Sequence, residues 1–183
     1  MTFRIIPIMT DKALQLKNYI RDIPDFPKPG ILFRDITPLL ADKQAFSNAV
    51  KALAEPFVDS AIDYVAAVEA RGFIFGSAVA EALDAGFIPI RKKGKLPHKT
   101  TSVTYDLEYG TDTLEVHTDA VADGERVLMV DDLLATGGTM AAACGLMEKL
   151  NAEIAALAFL IELTPLAGRD KLANHNIYTV ISY

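Results

Sequence analysis

Short apolar runs and amphipathic segments alternate along the last two thirds of the chain. Five runs rich in β-branched residues predict strands, at residues 64–68, 87–90, 126–130, 154–161 and 177–181. Such unbroken apolar runs are typical of strands that are buried on both faces, as in a parallel sheet. Two of them lead directly into helical patterns at 72–85 and 137–150. The pattern predicts an α/β fold with a doubly wound, mostly parallel sheet.

Two amphipathic helices are predicted before the first of these strands. Thr10 stands where it can cap a helix over 11–20, and Asp42 stands where it can cap a second helix. Apolar residues recur at helical spacing after Asp42, namely Phe46, Ala49, Val50, Leu53 and Phe57. Pro56 disturbs the end of this second helix.

Two segments depart from the alternation of strands and helices. Residues 24–38, PDFPKPGILFRDITP, contain four prolines and a glycine, so we expect a small, irregular and stiffened N-terminal hood. Residues 92–109 are polar, first basic and then acidic, with weak alternation from Val103 on. We expect a long loop there, and long loops in compact domains are usually functional or mobile.

Length and composition favour one folded domain. The 183 residues leave room for a single domain, which we take to span residues 1–183. Hydrophobic residues make up 51% of the chain and charged residues 23%, which predicts a packed core. The formal net charge of −6 argues against a general binder of nucleic acid or of acidic membranes, because both need a basic protein surface.

The single cysteine and the absence of long apolar runs bear on the compartment. Cys144 alone can form neither an internal disulfide nor a cysteine-built zinc site, and its alanine-rich surroundings indicate a packing position. A reducing compartment fits this usage, so we expect the cytoplasm. The first eleven residues lack a signal-peptide pattern, and no apolar run reaches the roughly 18 residues of a membrane span.

The segment 127–139, VLMVDDLLATGGT, is the strongest candidate for chemistry. A hydrophobic strand leads to two carboxylates and then to small and hydroxylated residues that open a helix. In open α/β sheets, ligands bind beyond the carboxyl ends of the strands. The residues Ala135, Thr136, Gly137, Gly138 and Thr139 leave backbone N–H groups uncovered at a helix start, which favours an anion. This predicts a site for one phosphate monoester.

The rest of the pattern narrows the ligand. The chain has neither GxxxxGK[ST] nor GxGxxG, so a polyphosphate nucleotide and a dinucleotide are poor candidates. Asp131 and Asp132, which we expect to be exposed loop carboxylates, can accept hydrogen bonds from vicinal hydroxyls, as in a ribose 5-phosphate. For the two acids alone, a surface turn is the better interpretation, and for the Thr-Gly-Gly segment alone, a plain helix cap is. The strand, the acids and the loop together favour a site.

This run resembles the PRPP-binding motif of the type I phosphoribosyltransferases, and VDDLLATGGTM is similar to the adenine-specific branch of that family. Further matching segments follow the family's order and spacing, namely DFPKPGILFRDITP, EARGFIFG, IRKKGKLP, YDLEYG and IELTPLAGR. The resemblance covers nearly the whole chain and leaves out only residues 1–9. It implies a type I phosphoribosyltransferase-like sheet with a hood at about 24–38 and a flexible catalytic loop at about 92–109.

The resemblance implies an enzyme that transfers phosphoribose from PRPP to adenine, giving AMP and pyrophosphate in purine salvage. Magnesium would be held mainly by PRPP itself, with no direct metal ligand from the protein, and the enzyme would be a homodimer. Two alternatives stay open. The base could be another purine, or the chain could be a non-catalytic regulator that senses PRPP, although an acidic chain has no basic DNA-binding module.

The family also implies roles for the phosphate-site residues. Asp131 and Asp132 would lie beside the ribose hydroxyls, while residues 135–139 would wrap the 5-phosphate. One of the two acids could instead only orient the loop, because neighbouring strand residues point to opposite faces. Arg71 would grip the pyrophosphate at a helix start, where a merely structural arginine would be mildly disfavoured by the helix dipole.

The remaining implied residues come from the basic run, the loop and the hood. Arg91 and Lys95 would neutralise the diphosphate, partly from a neighbouring subunit, although a basic run is more often only a solvated face. Glu108 would handle the imidazole proton of adenine or stabilise the developing cation, and Tyr109 would exclude water. For adenine, the resemblance implies a pocket formed by Leu32, Phe33, Arg34 and Leu163, of which composition alone would make the first two simply core.

Overall fold

The computed structural model describes residues 15–106 and 110–183, which form a seven-stranded α/β sheet with helices on both faces and a separate two-stranded sheet. The strands are β1 (Arg21–Ile23), β2 (Phe33–Asp35), β3 (Tyr64–Val68), β4 (Gly86–Lys92), β5 (Thr100–Asp106), β6 (Thr111–His117), β7 (Arg126–Leu134), β8 (Glu153–Glu162) and β9 (Ile177–Ser182). The α-helices are α1 (Thr37–Ala41), α2 (Lys43–Ala54), α3 (Arg71–Ala82) and α4 (Gly138–Lys149). Short 3-10 turns lie at Glu55–Phe57, Thr164–Leu166 and Gly168–Leu172.

Seven strands within the described residues form one sheet in the order β5-β6-β4-β3-β7-β8-β9. The five strands predicted from the apolar runs are β3, β4, β7, β8 and β9, and each pairs in parallel with its neighbours in this set. The prediction of a doubly wound, mostly parallel sheet is confirmed. Continuous apolar runs suffice for this prediction because both faces of these strands are covered.

Two cores cover the two faces of the sheet. The α3 core contains Val65 and Leu128 from the sheet with Phe75 of α3, whereas the α4 core contains Met129 with Met147 of α4. Because successive strand residues point to opposite faces, Leu128 and Met129 belong to different cores. Each helix is therefore anchored on its own side of the sheet.

The helix that follows Asp42 is confirmed, with its cap. The Asp42 carboxylate accepts hydrogen bonds from the backbone N–H of Gln44 at 3.0 Å and of Ala45 at 2.8 Å, which satisfies two donors of the first turn. The helix predicted over 11–20 is described only from residue 15, and residues 15–17 are helical. Thr10 lies outside the described residues.

The expectation of an irregular hood at 24–38 was wrong in part. β2 pairs antiparallel with β1, and α1 begins at Thr37 with Pro38 in its first turn. Proline is tolerated at that place because the first N–H groups of a helix have no partner within it. The prolines therefore end and begin short elements and do not abolish them.

The expectation of a loop over 92–109 was also wrong in part, because residues 100–106 form β5. This strand pairs antiparallel with β6, which our sequence analysis missed. Both strands are rich in threonine, and β5 alternates between partly buried and exposed positions. A half-exposed antiparallel pair has a weaker hydrophobic signal than the buried parallel strands.

None of the helices in the described part of the chain has the length and apolar character that a membrane span requires.

The chain changes direction across the sheet between β3 and β7. The connection after β3 passes through α3 to β4 on one side, and the connection after β7 passes through α4 to β8 on the other. A crevice forms at such a switch point, beyond the carboxyl ends of the two strands. The EARG segment and the DDLLATGGT segment both begin there.

Candidate active site

A cavity of about 190 Å³ lies beyond the carboxyl ends of β3 and β7. Its lining includes Arg71 at the start of α3 and the carboxylates of Asp131 and Asp132, which we call the acid pair. It also includes the whole of residues 135–139, which we call the phosphate loop. Parallel pairing of β3 with β7 aligns Ala67 with Val130, so the residues that follow the two strands meet. The structure thus brings together most of the predicted phosphate site and Arg71.

The acid pair is part of the sheet, which corrects the expectation of exposed loop carboxylates. Asp131 and Asp132 both lie within β7, and Asp132 is only 4% exposed. The Asp131 carboxylate accepts a hydrogen bond from the Asp132 N–H at 2.9 Å. β7 stays paired with β8 as far as Leu134, so the strand continues through both acids and leaves Asp132 buried and Asp131 partly buried. Both line the cavity, although neighbouring strand residues usually diverge.

Burial controls the protonation of the acid pair. It raises the pKa of Asp131 well above its ordinary value, and the charge of Asp132 acts in the same direction. Burial also raises the pKa of Asp132, while the positive charge of Arg71 opposes this shift. Since desolvation disfavours the charged form, an arriving hydroxyl donor or cation would stabilise these carboxylates.

Arg71 joins the acid pair to the hood. Its Nη2 lies 2.8 Å from the buried Oδ2 of Asp132, which has no well-aligned hydrogen-bond donor in the part of the chain that the structure describes. The guanidinium carbon also lies 5.2 Å from the ring centre of Phe33 in β2. Helix α3 begins at Arg71 without a side-chain cap, which leaves the N–H groups of its first turn available to an anion.

The phosphate loop turns at Gly137, whose φ of +78° places it in the left-handed region that favours glycine. The first bond of α4 runs from the N–H of Ala141 to the carbonyl of Gly137 at 2.9 Å. The preceding N–H groups therefore have no partner within the helix. The Thr139 hydroxyl lies 3.3 Å from the Tyr105 hydroxyl, so β5 reaches over the loop. The arrangement suits a phosphate monoester.

Gly168 supports the phosphate loop from behind and was missed by our sequence analysis. A Cβ on Gly168 would lie 2.2 Å from the Ala135 carbonyl oxygen, and a Cβ on Gly137 would lie 2.4 Å from the Gly168 carbonyl oxygen. The two backbones thus touch where only glycine fits. The only available signal was the glycine in IELTPLAGR, because the contact joins segments more than 30 residues apart.

An ion pair between the exposed Arg169 and the buried Glu162 holds Gly168 in place. Arg169 donates from Nε and Nη2 to the two oxygens of Glu162, each at 2.7 Å, and the Thr179 hydroxyl donates to the same carboxylate at 3.1 Å. Burial by itself raises the pKa of Glu162, but the bonds from Arg169 and Thr179 outweigh it and hold the pKa below its ordinary value. The carboxylate is therefore charged at neutral pH.

Glu69 accepts hydrogen bonds from the start of the basic run at residues 91–95. One of its oxygens accepts from Arg91 Nε at 2.8 Å, and the other accepts from the Lys92 N–H at 3.0 Å. Burial alone raises the pKa of Glu69, yet these bonds lower it overall. Arg91 is thus held at the end of β4. Lys95 is exposed and does not line the cavity.

The predicted base-pocket residues lie on two elements. Phe33 is partly buried and packs edge-on against Phe26, with ring centres 5.1 Å apart. Leu32 is 45% exposed, which corrects the composition-based view of this residue as core. Leu163 is partly buried, and its N–H donates to Leu134 at 2.9 Å. The guanidinium of Arg34 stacks on the terminal Tyr183 ring at 3.7 Å and pairs with Asp22.

The remaining candidates lie elsewhere. Glu108 and Tyr109 lie outside the described residues, so their predicted roles stay predictions. Cys144 is buried in α4, and burial raises the pKa of its thiol to about 12. A thiol with that pKa is not a nucleophile near neutral pH, which supports the packing role.

Comparison with known families identifies relatives of the whole chain. The family of the phosphoribosyl transferase domain matches residues 39–181. An adenine phosphoribosyltransferase of Halothermothrix orenii is 55% identical over 168 residues, which cover 92% of this chain and 99% of the relative. An adenine phosphoribosyltransferase of a Bradyrhizobium species is 60% identical over 159 residues, which cover 87% of this chain and 89% of the relative.

Solved structures agree in fold over nearly the full length. Adenine phosphoribosyltransferase from Thermoanaerobacter pseudethanolicus superposes with a TM-score of 0.91 at 51% identity, covering 93% of this chain and 99% of that chain. The enzyme from Saccharomyces cerevisiae, complexed with an imino-altritol bisphosphate and adenine, gives a TM-score of 0.88 at 42% identity. It covers 92% of this chain and 98% of that chain.

Proposed function

Because this chain belongs to the adenine phosphoribosyltransferases, a family of phosphoribosyl transferase domains, we propose that the cavity between β3 and β7 is its active site. The chain is a pentosyltransferase of purine salvage that converts PRPP and adenine into AMP and pyrophosphate. The two alternatives, another purine base and a non-catalytic PRPP sensor, have no support in the relatives described above, which are all adenine enzymes.

The phosphate loop binds the 5-phosphate of PRPP in this proposal. Uncovered N–H groups at the start of α4 and the hydroxyls of Thr136 and Thr139 would surround the anion. Each hydrogen bond to a charged group contributes about 1.5–3 kcal/mol, so four or five of them suffice to hold a phosphate. Gly137 supports this role because it lines the cavity and precedes α4 with no side chain to cap the first N–H groups of the helix.

The acid pair would receive the ribose. Asp132 lines the cavity, and its buried Oδ2 accepts no well-aligned hydrogen bond from the described residues, so a ribose hydroxyl would supply one. Asp131 lies directly beside it and would accept from a neighbouring hydroxyl. Both carboxylates would also favour the positive charge that develops on the ribose ring as the leaving group departs.

The diphosphate would lie at the start of α3. Arg71 can grip two oxygens at once, and the first turn of α3 offers N–H groups. Arg91 would add a second positive charge from the end of β4, where Glu69 orients it. We propose that Lys95, which is exposed, acts on the diphosphate partly from a neighbouring subunit, as the family resemblance implies.

Adenine would bind between the hood and β8. Phe33 would stack on the base with Leu163 opposite, while backbone groups of Leu32 and Arg34 would read its edge. The contact between Arg71 and the Phe33 ring supports this assignment, because Phe33 belongs to the hood and Arg71 is the residue that we propose for the diphosphate.

The reaction requires the bond between C1′ and the diphosphate oxygen to break and a bond from N9 of adenine to C1′ to form. Pyrophosphate leaves with the electron pair, and the imidazole proton of adenine must leave N9. We assign this proton to Glu108 as the catalytic base and the exclusion of water to Tyr109.

Magnesium fits this site as a partner of the substrate. The described residues contain no group of three His, Cys, Asp or Glu side chains that could hold the ion alone. We propose that the diphosphate and the ribose hydroxyls of PRPP hold it mainly, with Asp131 and Asp132 contacting those hydroxyls. When bound, the ion neutralises the diphosphate and improves it as a leaving group.

The setting of the enzyme is also proposed. A cytoplasmic homodimer fits the single cysteine and the role given to Lys95. Sedimentation equilibrium would test the dimer, and a strictly monomeric active enzyme would contradict it.

The observation that carries the site assignment is one cavity lined by the phosphate loop, the acid pair and Arg71 together. A crystal structure with AMP tests all three assignments at once. We expect the phosphate against residues 135–139, the ribose hydroxyls at Asp131 and Asp132, and adenine at Phe33. A phosphate bound away from this loop would overturn the assignment. Turnover assays with adenine, hypoxanthine, guanine and orotate complete the test, and adenine should be preferred.

A further inference from the structure

The phosphate loop contains no lysine, but the turn Gly168–Leu172 brings one to it. Nζ of Lys171 lies 3.8 Å from the position that a Cβ on Gly138 would occupy. Gly138 is the first residue of α4 and lines the cavity. The ammonium group therefore lies beside the loop, on the side where the Asp106 carbonyl oxygen of β5 is also 3.8 Å from the same point.

Residues before and after Lys171 fix the turn that carries it. Arg169 is held by two hydrogen bonds to Glu162, and Leu172 is 1% exposed in the α4 core. Gly168 presses on the carbonyl of Ala135 in the phosphate loop. The backbone of Lys171 thus has a defined position relative to the loop, while its side chain is exposed and retains the freedom to reach an anion.

Lys171 has no carboxylate partner among residues 15–106 and 110–183. The two neighbouring cations do have carboxylate partners, because Arg71 lies against Asp132 and Arg169 is bound to Glu162. A phosphate monoester brings about two negative charges at neutral pH. Among the described residues, the cavity lining contains two carboxylates and one guanidinium. A cation beside the phosphate loop would therefore offset this negative charge and strengthen the binding of the phosphate.

We propose that Lys171 is a phosphate-binding residue whose ammonium group forms a salt bridge with the 5-phosphate of PRPP and AMP. This inference rests on the proposed function of the phosphate loop. It adds a charged donor to the backbone N–H groups and threonine hydroxyls that we assign to the phosphate. The lysine comes from a separate turn and not from the loop itself, so motif searches for a lysine within the loop do not find it.

The test compares AMP with adenosine, which differs from AMP only by the phosphate. Isothermal titration measures both affinities for the wild-type enzyme and for Lys171→Met, Lys171→Arg and Lys51→Met. Lys51 is exposed on α2 and gives a matched loss of one positive charge away from the cavity. We expect Lys171→Met to weaken AMP binding about 10-fold, since one charge-assisted bond is lost. Lys171→Arg should keep most of the affinity, and Lys51→Met should match the wild type.

Adenosine and salt separate a direct contact from general damage. Adenosine affinity should be the same in all four proteins, and the AMP difference should shrink as KCl rises from about 50 mM to about 500 mM, because salt screens an exposed pair. Equal AMP affinities of the wild type and Lys171→Met would overturn the inference, as would an equal loss for adenosine. If the wild-type enzyme itself bound AMP no better than adenosine, the proposed phosphate site would fail, and the inference with it.

Discussion

Gly137→Ala tests the contact between the phosphate loop and the Gly168 turn. The substitution puts a methyl group where φ is +78°, which costs about 1–2 kcal/mol for an L-residue. The new Cβ would lie 2.4 Å from the Gly168 carbonyl oxygen. Relief of this overlap adds about 1–3 kcal/mol. The sum, about 2–5 kcal/mol, lowers the melting temperature by roughly 4–20 °C for a domain of this size.

The same shift should disturb phosphate binding. Separating the two backbones to an ordinary contact moves the loop by about 1 Å, and a misplacement of that size can reduce activity about 100-fold. We therefore expect the KM for PRPP to rise much more than the KM for adenine. Urea unfolding followed by circular dichroism gives the free energy, and a pyrophosphate-release assay gives both KM values.

Two other glycines provide matched controls. Gly124 has the same φ of +78° but nothing within 4 Å of its Cβ position, so Gly124→Ala carries only the conformational cost. Gly145 lies within α4 in open space, and Gly145→Ala should stabilise the protein by about 0.5–1 kcal/mol. If Gly137→Ala were no less stable than Gly124→Ala and kept the wild-type KM for PRPP, the steric account of this contact would be refuted.

Four further substitutions or reactions test other parts of the site. Asp132→Asn should lower kcat/KM for PRPP about 10- to 100-fold, because a ribose hydroxyl loses a charged acceptor. Its unfolding free energy in urea should change by less than about 1 kcal/mol, since the desolvation cost of the buried charge also disappears. Glu108→Ala should lower kcat with little change in KM, and steady-state kinetics that showed a change confined to KM would exclude the catalytic role. The bonds from Arg169 keep the pKa of Glu162 below its ordinary value of 4.5, so their stabilisation is present above that pH and is lost as the pH falls through the lowered pKa. Glu162→Gln should therefore be about 1.5–3 kcal/mol less stable than the wild type in urea at pH 7, and the difference should narrow below about pH 4.5; a constant difference would contradict the ion pair. Cys144, with a pKa of about 12, should not react with a disulfide reagent at pH 8 until urea unfolds the protein, and rapid reaction in the native state would show that the thiol is accessible.

The buried sheet was predictable because its signal is local. β3 and β7 are continuous apolar runs, and the glycine-rich loop after β7 identifies the carboxyl edge of the sheet without any knowledge of packing. The burial of Asp132 was not predictable in the same way. Two adjacent acids after an apolar run are typical of a strand end, and only pairing of β7 with β8 up to Leu134 shows that the strand continues through them.

Long-range contacts account for the other misses. Gly168 and Lys171 belong to a turn after β8, and their approach to Ala135 and Gly138 depends on the parallel alignment of β7 with β8. Nothing in either segment alone indicates its partner. β6 was missed for another reason, since its threonines and charges weaken the apolar signal on which strand prediction depends.

The division of the molecule into two cores has a thermodynamic consequence for substrate binding. α3 is anchored on one side of the sheet and α4 on the other, so a molecule held at both helix starts acts as a non-covalent cross-link between them. At a concentration 100 times its Kd, such a ligand stabilises the native state by about 2.7 kcal/mol. Amide hydrogen exchange should therefore slow in both halves at once, and a fragment that fills only one helix start should protect only its own half.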